Sequence, residues 1–369
     1  MIAAWWSWTI GVTLQAGVLL AIVLALDFVL RRRGWLAVRA GLWCALLLRF
    51  VLPPGLGAAW SLSTRVAERA AVDWNAVPAQ TSSTALVWIF AIWAAGVVLL
   101  AIRAGRGTRT LEHLVASAEP PPRGIEQECA RLARRFGLAR SHEVRVSDAF
   151  GGPAVLLLRS RSVIVLPPVL LEPDASVERE HAFLHELAHL GRRDPLKARL
   201  VNALQVLFWF HPAVWIAGRR LAELRELGAD ARVARELRGR TSDYRASLLA
   251  AAERRFATSA PLGASAFVSG PSLLLLRLAR LDRPVWRGAR HERAAGAAVF
   301  AGLALFVLPM ACELPGALHL DPVVAQALER WRRAEASDER QNCLEVQAAA
   351  RILQAHALLT GEDLTQRVP

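Results

Sequence analysis

Cysteine and tyrosine are scarce in this sequence. Four cysteines, Cys44, Cys129, Cys312 and Cys343, are spread over 369 residues. No two stand at metal-ligand spacing, which excludes a zinc ribbon and a disulfide-dense scaffold alike. Tyr244 is the single tyrosine, against 13 tryptophans. A signal-peptide start is also missing. The first apolar run, Ile2 to Leu30, opens with no positive charge and ends in Arg31-Arg32-Arg33, the reverse of a cleavable leader. No similarity recurs at periods of about 20 to 50 residues, so solenoid and propeller arrays are excluded.

Apolar residues are plentiful, at 54%, and the formal net charge is +13. Such a balance fits either a nucleic-acid binder or a membrane protein with basic flanks. The placement of charge decides between them. Arginines gather at the ends of apolar runs, at 31–33, at Arg103, Arg106 and Arg109, and at Arg283, Arg287, Arg290 and Arg293. No nucleic-acid recognition module accompanies them, so direct nucleic-acid contact is not expected.

The expected fold class is a mainly α membrane protein. About four transmembrane helices would flank an inserted α+β domain of zincin type. The spans are 2–30, 34–52, 84–102 and 294–311, with 53–83 as a polar outer loop. Arg39 and Arg49 interrupt the second span near its ends, from where each could snorkel to an interface. The basic residues after the first and third spans place the N-terminus outside and residues 103–293 towards the cytoplasm, as the positive-inside rule requires. Trp5, Trp6 and Trp8 would then mark the outer interface. The net acidic tail, 312–369, would lie outside, where Cys312 and Cys343 could pair or stay as thiols.

Within 103–293, Leu111 to Ala118 and Gly124 to Phe136 read as helices. Val144 to Val146 reads as a short strand, and 154–158 with 162–166 as a hairpin around Arg159-Ser160-Arg161. A helix-rich stretch follows from about Ser176 to Arg255, then a Ser-, Gly- and Pro-containing loop at 256–271.

His185-Glu186-Leu187-Ala188-His189 carries the chemistry. Two histidines four apart share one helix face, with Cβ atoms about 6 Å apart. They can chelate one zinc ion, and Glu186 can act on the water such an ion holds, first as general base and then as acid. A catalytic zinc takes a third protein ligand. The metzincin extension would put Gly and His where Arg192 and Pro195 stand, so that class is excluded. Glu226, on a downstream helix, is the candidate, with Asp230 one turn on as a hydrogen-bond partner for a ligating histidine. Glu223 is the rival. Residues 194–210 and 212–226 make helical arms of nearly equal length about His211-Pro212, so an antiparallel hairpin returns Glu226 to the level of His189. Tyr244 reads as a packing residue, with carbonyl polarisation as the alternative. His181 reads as an exposed or supporting histidine.

His185 to His189, Arg192-Arg193-Asp194, Phe208 to Pro212 and Arg225-Glu226-Leu227-Gly228-Ala229-Asp230 together resemble the BlaR/MecR-type membrane metallopeptidases. The resemblance places that family's third zinc ligand on Glu226 and its Asp on Asp230; Ala229 replaces the family's Cys. It also covers the hairpin, where the edge at Ala154, Val155 and Leu156 would pair with an extended substrate. It implies a zinc-dependent endopeptidase that relays a signal by cleaving a protein or peptide, such as a transcriptional repressor or a loop of its own; the Ser-, Gly- and Pro-containing composition alone marks 256–271 as that loop. Membrane lipid is a partner, and homodimerisation stays open. The antibiotic-sensing members carry a penicillin-binding domain after the last span. The 57 residues after Cys312 hold no Ser-x-x-Lys motif, so β-lactam recognition is not expected. A non-proteolytic transducer with structural zinc and a housekeeping gluzincin are the alternatives.

Overall fold

In a computed structural model of the chain, the described residues are 2–31, 35–52, 83–138, 142–159, 161–257, 271–281 and 289–306. The outer loop, the core of the 256–271 loop, and the tail with Cys312 and Cys343 lie outside them.

Ten α-helices are described. They are α1 (Ile2–Arg31), α2 (Leu36–Arg49), α3 (Ser83–Ala116), α4 (Arg123–Arg135), α5 (Ser176–Gly191), α6 (Asp194–Leu207), α7 (Pro212–Leu237), α8 (Thr241–Ala257), α9 (Pro271–Leu281) and α10 (Ala289–Phe306). The strands are β1 (Glu143–Val146), β2 (Ala154–Leu158) and β3 (Arg161–Leu166). They form one sheet in the order β1-β3-β2. β2 and β3 are an antiparallel hairpin pairing Leu158 with Arg161, and β1 lies parallel to β3. Arg159 takes a positive φ of 44° in the turn.

Two described helices, α1 and α3, are long and apolar enough to cross a membrane. Large apolar side chains stand exposed along both, among them Val18, Phe28 and Val29 on α1 and Trp88, Ile92 and Leu99 on α3. Rows of this kind belong against lipid rather than water. α3 runs 14 residues past the expected end of its span at 102. Thr108 and Thr110 bond back to Ala104 and Arg106 at 3.0 and 3.1 Å. Gly105 and Gly107 are absorbed, because each costs a helix only about 1 kcal/mol and extension adds one hydrogen bond per residue.

At 14 residues, α2 is about 21 Å long, short of a hydrocarbon core of about 30 Å. It does not lie on a surface either. Trp43, Leu46 and Phe50 are buried among α1, the α6–α7 turn and α7. Gly41 and Gly296 let α2 and α10 approach so closely that a Cβ on either would meet the other's backbone oxygen, as small residues do at helix crossings in lipid. Arg39 and Arg49 correct the snorkelling expectation. Arg39 turns inward to Asp27 on α1 at 2.7 Å, and Arg49 to Gln15 and to the Leu52 carbonyl, each at 2.8 Å. A partner inside the bundle removes the reason to reach for an interface.

α6 and α7 form the helical hairpin. His211 caps α7, its Nδ1 accepting from the Ala213 amide at 3.1 Å, and Pro212 fits the first turn, where no donor is required. The tip sits deep among the apolar helices. Phe208 and His211 pack on Phe50, and Trp209 lies against Gly96 of α3, filling the space a Cβ would need. α7 therefore serves two cores. Its first half, with Ala213, Val214, Ala217 and Leu224, packs on α1 and α2. Its second half, with Ala229, Val233 and Leu237, packs on α4, α5, β1, β3 and α8.

Candidate metal centre

α5 buries Glu186 and His189 and leaves His185 partly exposed beside them. It stops at Gly191, and Arg193 in the left-handed region (φ 56°) reverses the chain into α6. That tight reversal brings Asp194, the first residue of α6, back to His189. Its Oδ2 lies 3.0 Å from His189 Nδ1. Arg192 and Lys197 also bond Asp194, at 3.0 and 3.3 Å. α7 crosses α5 closely because Gly228 leaves room for the Arg192 guanidinium.

His185, His189 and Glu226 come together. One candidate ligand atom from each lies within 4.8 Å of the others. The two Nε2 atoms are 3.2 Å apart. Glu226 Oε2 is 3.4 Å from His185 Nε2, and Oε1 is 3.6 Å from His189 Nε2. Glu223 pairs instead with Arg220 at 2.9 Å. Asp230, at 1% exposure, places Oδ1 3.2 Å from His185 Nδ1. Tyr244 donates to that same oxygen at 2.7 Å, and its hydroxyl is 2.9 Å from His185 Nδ1. Tyr244 therefore does more than pack: it ties α8 to the site. Glu186 is buried beside this group, at 6% exposure. His181 is also buried, with Nδ1 2.7 Å from Ser247 Oγ, and takes no place in the cluster. Ala154, Val155 and Leu156 lie on β2, whose second edge meets no strand among the described residues. Arg199 of α6 covers that edge further along, bonding the carbonyls of Leu157 and Arg159.

Both Nδ1 atoms face carboxylates, an arrangement that favours a proton on Nδ1 and leaves Nε2 of each ring for a metal. A carboxylate completes the group. Two imidazole nitrogens and a carboxylate converging at this range suit a cation such as zinc, with the Arg277 guanidinium 3.5 Å from His185 Nε2 beside them. Protons compete for the same position. Burial and the nearby Arg277 favour neutral imidazole at His185, but Asp230 and Glu226 outweigh them and push the group up to about 10. Burial likewise favours a neutral Glu226, yet His185, His189 and Arg277 bring it down to about 2. The cluster thus binds positive charge strongly, and proton and metal compete for it.

Sequence reasoning assigned no role to Asp194 or Arg277. Arg277, on α9, forks onto Asp230 through Nε and Nη2, both at 2.8 Å, and its Nη1 is 3.4 Å from Glu226 Oε2. An acidic residue five after the second histidine is a usable signal for Asp194. For Arg277 the sequence carries none.

This arrangement fits a metallopeptidase centre: a paired-histidine helix, a carboxylate from a later helix, and a buried glutamate directly after the first histidine. The particular family follows from comparison. Residues 7–281 match the model of the family described as BlaR1 peptidase M56, and the chain belongs to that family. Membership implies a bound metal, usually zinc. The methicillin resistance mecR1 proteins of Staphylococcus aureus and Staphylococcus epidermidis are each 39% identical over 57 residues, 15% of this chain and 10% of theirs. The chain thus spans about a tenth of the length of these relatives.

Proposed function

We propose that the protein is a membrane-embedded, zinc-dependent endopeptidase that transduces a signal by cleaving a cytoplasmic regulator, such as a transcriptional repressor, or itself. One observation carries the reading: His185 Nε2, His189 Nε2 and a Glu226 oxygen face one another beside the buried Glu186. Membership in a peptidase family supports hydrolysis, and the mecR1 likeness supports the regulatory side. α1, α2, α3 and α10 form the anchor, with the N-terminus outside and the peptidase elements, within 103–293, towards the cytoplasm.

His185, His189 and Glu226 would hold the zinc. A bound zinc supplies Lewis acidity, which polarises a scissile carbonyl and acidifies water. Glu186 takes the proton from the attacking water and returns it to the leaving amine. Asp230 and Asp194 hold the two imidazoles in the tautomer that offers Nε2. An extended peptide pairs with β2 over Ala154, Val155 and Leu156, short of the stretch that Arg199 covers. The outward apolar residues of the hairpin, Leu200, Leu207, Phe210 and Trp215, meet lipid.

Comparative proteomics of cells carrying the wild type or Glu186→Ala tests this, with zinc content measured on both purified proteins. The expected result is one protein fragment present only with the wild type, and equal zinc in the two proteins. An identical fragment pattern with both, or a wild type without zinc, overturns it.

A further inference from the structure

Arg192 and Lys197 serve Asp194, whereas a further cation, Arg277, comes from outside the helices that carry the candidate ligands. Arg277 sits on α9, which packs on α7 and α8. Its fork takes both oxygens of Asp230, Nε on Oδ2 and Nη2 on Oδ1. The same Oδ1 faces His185 Nδ1 at 3.2 Å. A carboxylate held in a planar, two-point fork cannot rotate about its own axis. Arg277 therefore fixes which way Asp230 presents Oδ1, and through it which nitrogen of His185 remains for a metal. The third nitrogen, Nη1, lies 3.4 Å from Glu226 Oε2, the oxygen that faces His185 Nε2. Glu226 and Asp230 are four apart on α7, where like charges repel. The guanidinium spans the two and relieves that repulsion.

We infer that Arg277 is a positioning residue of the metal centre, acting through Asp230 and Glu226, so that metal affinity depends on α9 being docked against α7. This rests on the metal-site reading above. The local charge supports it. Glu226 and Asp230 bring two carboxylates to one face of α7, and Arg277 sets a single guanidinium against both from a mostly covered position. Groups that orient a ligand are worth about 10- to 100-fold in metal affinity.

The test is zinc affinity by chelator competition on the full chain in detergent, with the visible spectrum of the cobalt-substituted protein as a second readout. Arg277→Met leaves Asp230 buried without its main cation and endangers the fold. Arg277→Lys keeps the charge, loses the fork, and carries the test if the first variant does not fold. The expected result is zinc binding weaker by about 10-fold in Arg277→Lys and about 100-fold in Arg277→Met, with a shifted cobalt spectrum in each. In an Asp230→Asn background, Arg277→Met should cost much less than in the wild type. Zinc affinity within two-fold of wild type and an unchanged cobalt spectrum in a folded variant overturn the inference while the metal site stands. A wild type that binds no zinc overturns the metal site itself, and the inference with it.

Discussion

The two cores that meet along α7 both bury charge, and they use it differently. In the apolar bundle the two buried arginines share no partner: Arg39 meets Asp27, which also takes the more exposed Arg31, and Arg49 meets Gln15 and the Leu52 carbonyl. In the metal centre the partners are shared. Asp230 answers to Tyr244, Arg277 and His185 at once, and Glu226 faces both histidines and Arg277. In the bundle one buried cation is cancelled by an anion and the other is satisfied by neutral oxygens. The centre is a network that leaves three candidate ligand atoms converging. The contrast separates charge that specifies packing from charge that prepares a binding event.

Glu186→Gln should break the comparison most sharply. It should lower peptide hydrolysis by about 10²- to 10⁴-fold while zinc content and unfolding temperature stay at wild-type values. Next in size is Asp27→Asn, which leaves Arg39 buried without its anion. The expected loss is about 3–5 kcal/mol, read by thermal unfolding in detergent, with zinc affinity unchanged. Replacing both Asp27 and Arg39 by Leu should recover most of that stability. Asp194→Asn should act on the other side only, weakening zinc binding by about 10- to 100-fold in chelator competition.

The smallest expected effect is a pH dependence. Asp194 is buried, which would raise it, but His189, Arg192 and Lys197 bring it from the ordinary 3.8 down to about 2. A lowered acid stabilises the fold above its unfolded value and stops doing so as pH falls through its folded value. Stability should therefore drop between about pH 4 and pH 2, by roughly 2 kcal/mol, in the metal-free protein. Asp194→Asn should remove that share from a pH series of unfolding curves and leave the loss that Glu226, also held down to about 2, contributes in the same window.

Much of the centre was legible because it depends on local rules. Helical periodicity puts His185 and His189 on one face, and the near-equal arms about His211-Pro212 return Glu226 to them. Asp230 follows from Glu226 by one further turn. What was not legible depends on docking. Asp194 reaches His189 only because Arg193 takes a left-handed conformation. Arg277 reaches Asp230 across 47 residues of chain, and nothing in its own segment marks it. Arg39 and Arg49 looked like interfacial residues because a sequence shows where a charge stands along a helix but not what faces it. The expected break after residue 102 failed for a related reason: arginines and glycines mark a change of surroundings, and the helix continues through it.

α7 also works as a shaft. Its 26 residues make a rod about 39 Å long. One end is clamped: His211 caps it, leans on Phe50 and reaches the Thr13 carbonyl on α1 at 3.4 Å. Glu226 projects from the same rod. A side chain at a radius of about 5–6 Å sweeps about 2 Å for every 20° of axial rotation. Metal coordination tolerates about 0.2 Å. A small twist delivered where α7 meets the apolar helices is thus geared up, at the carboxylate, to a displacement ten times what a metal–ligand bond allows.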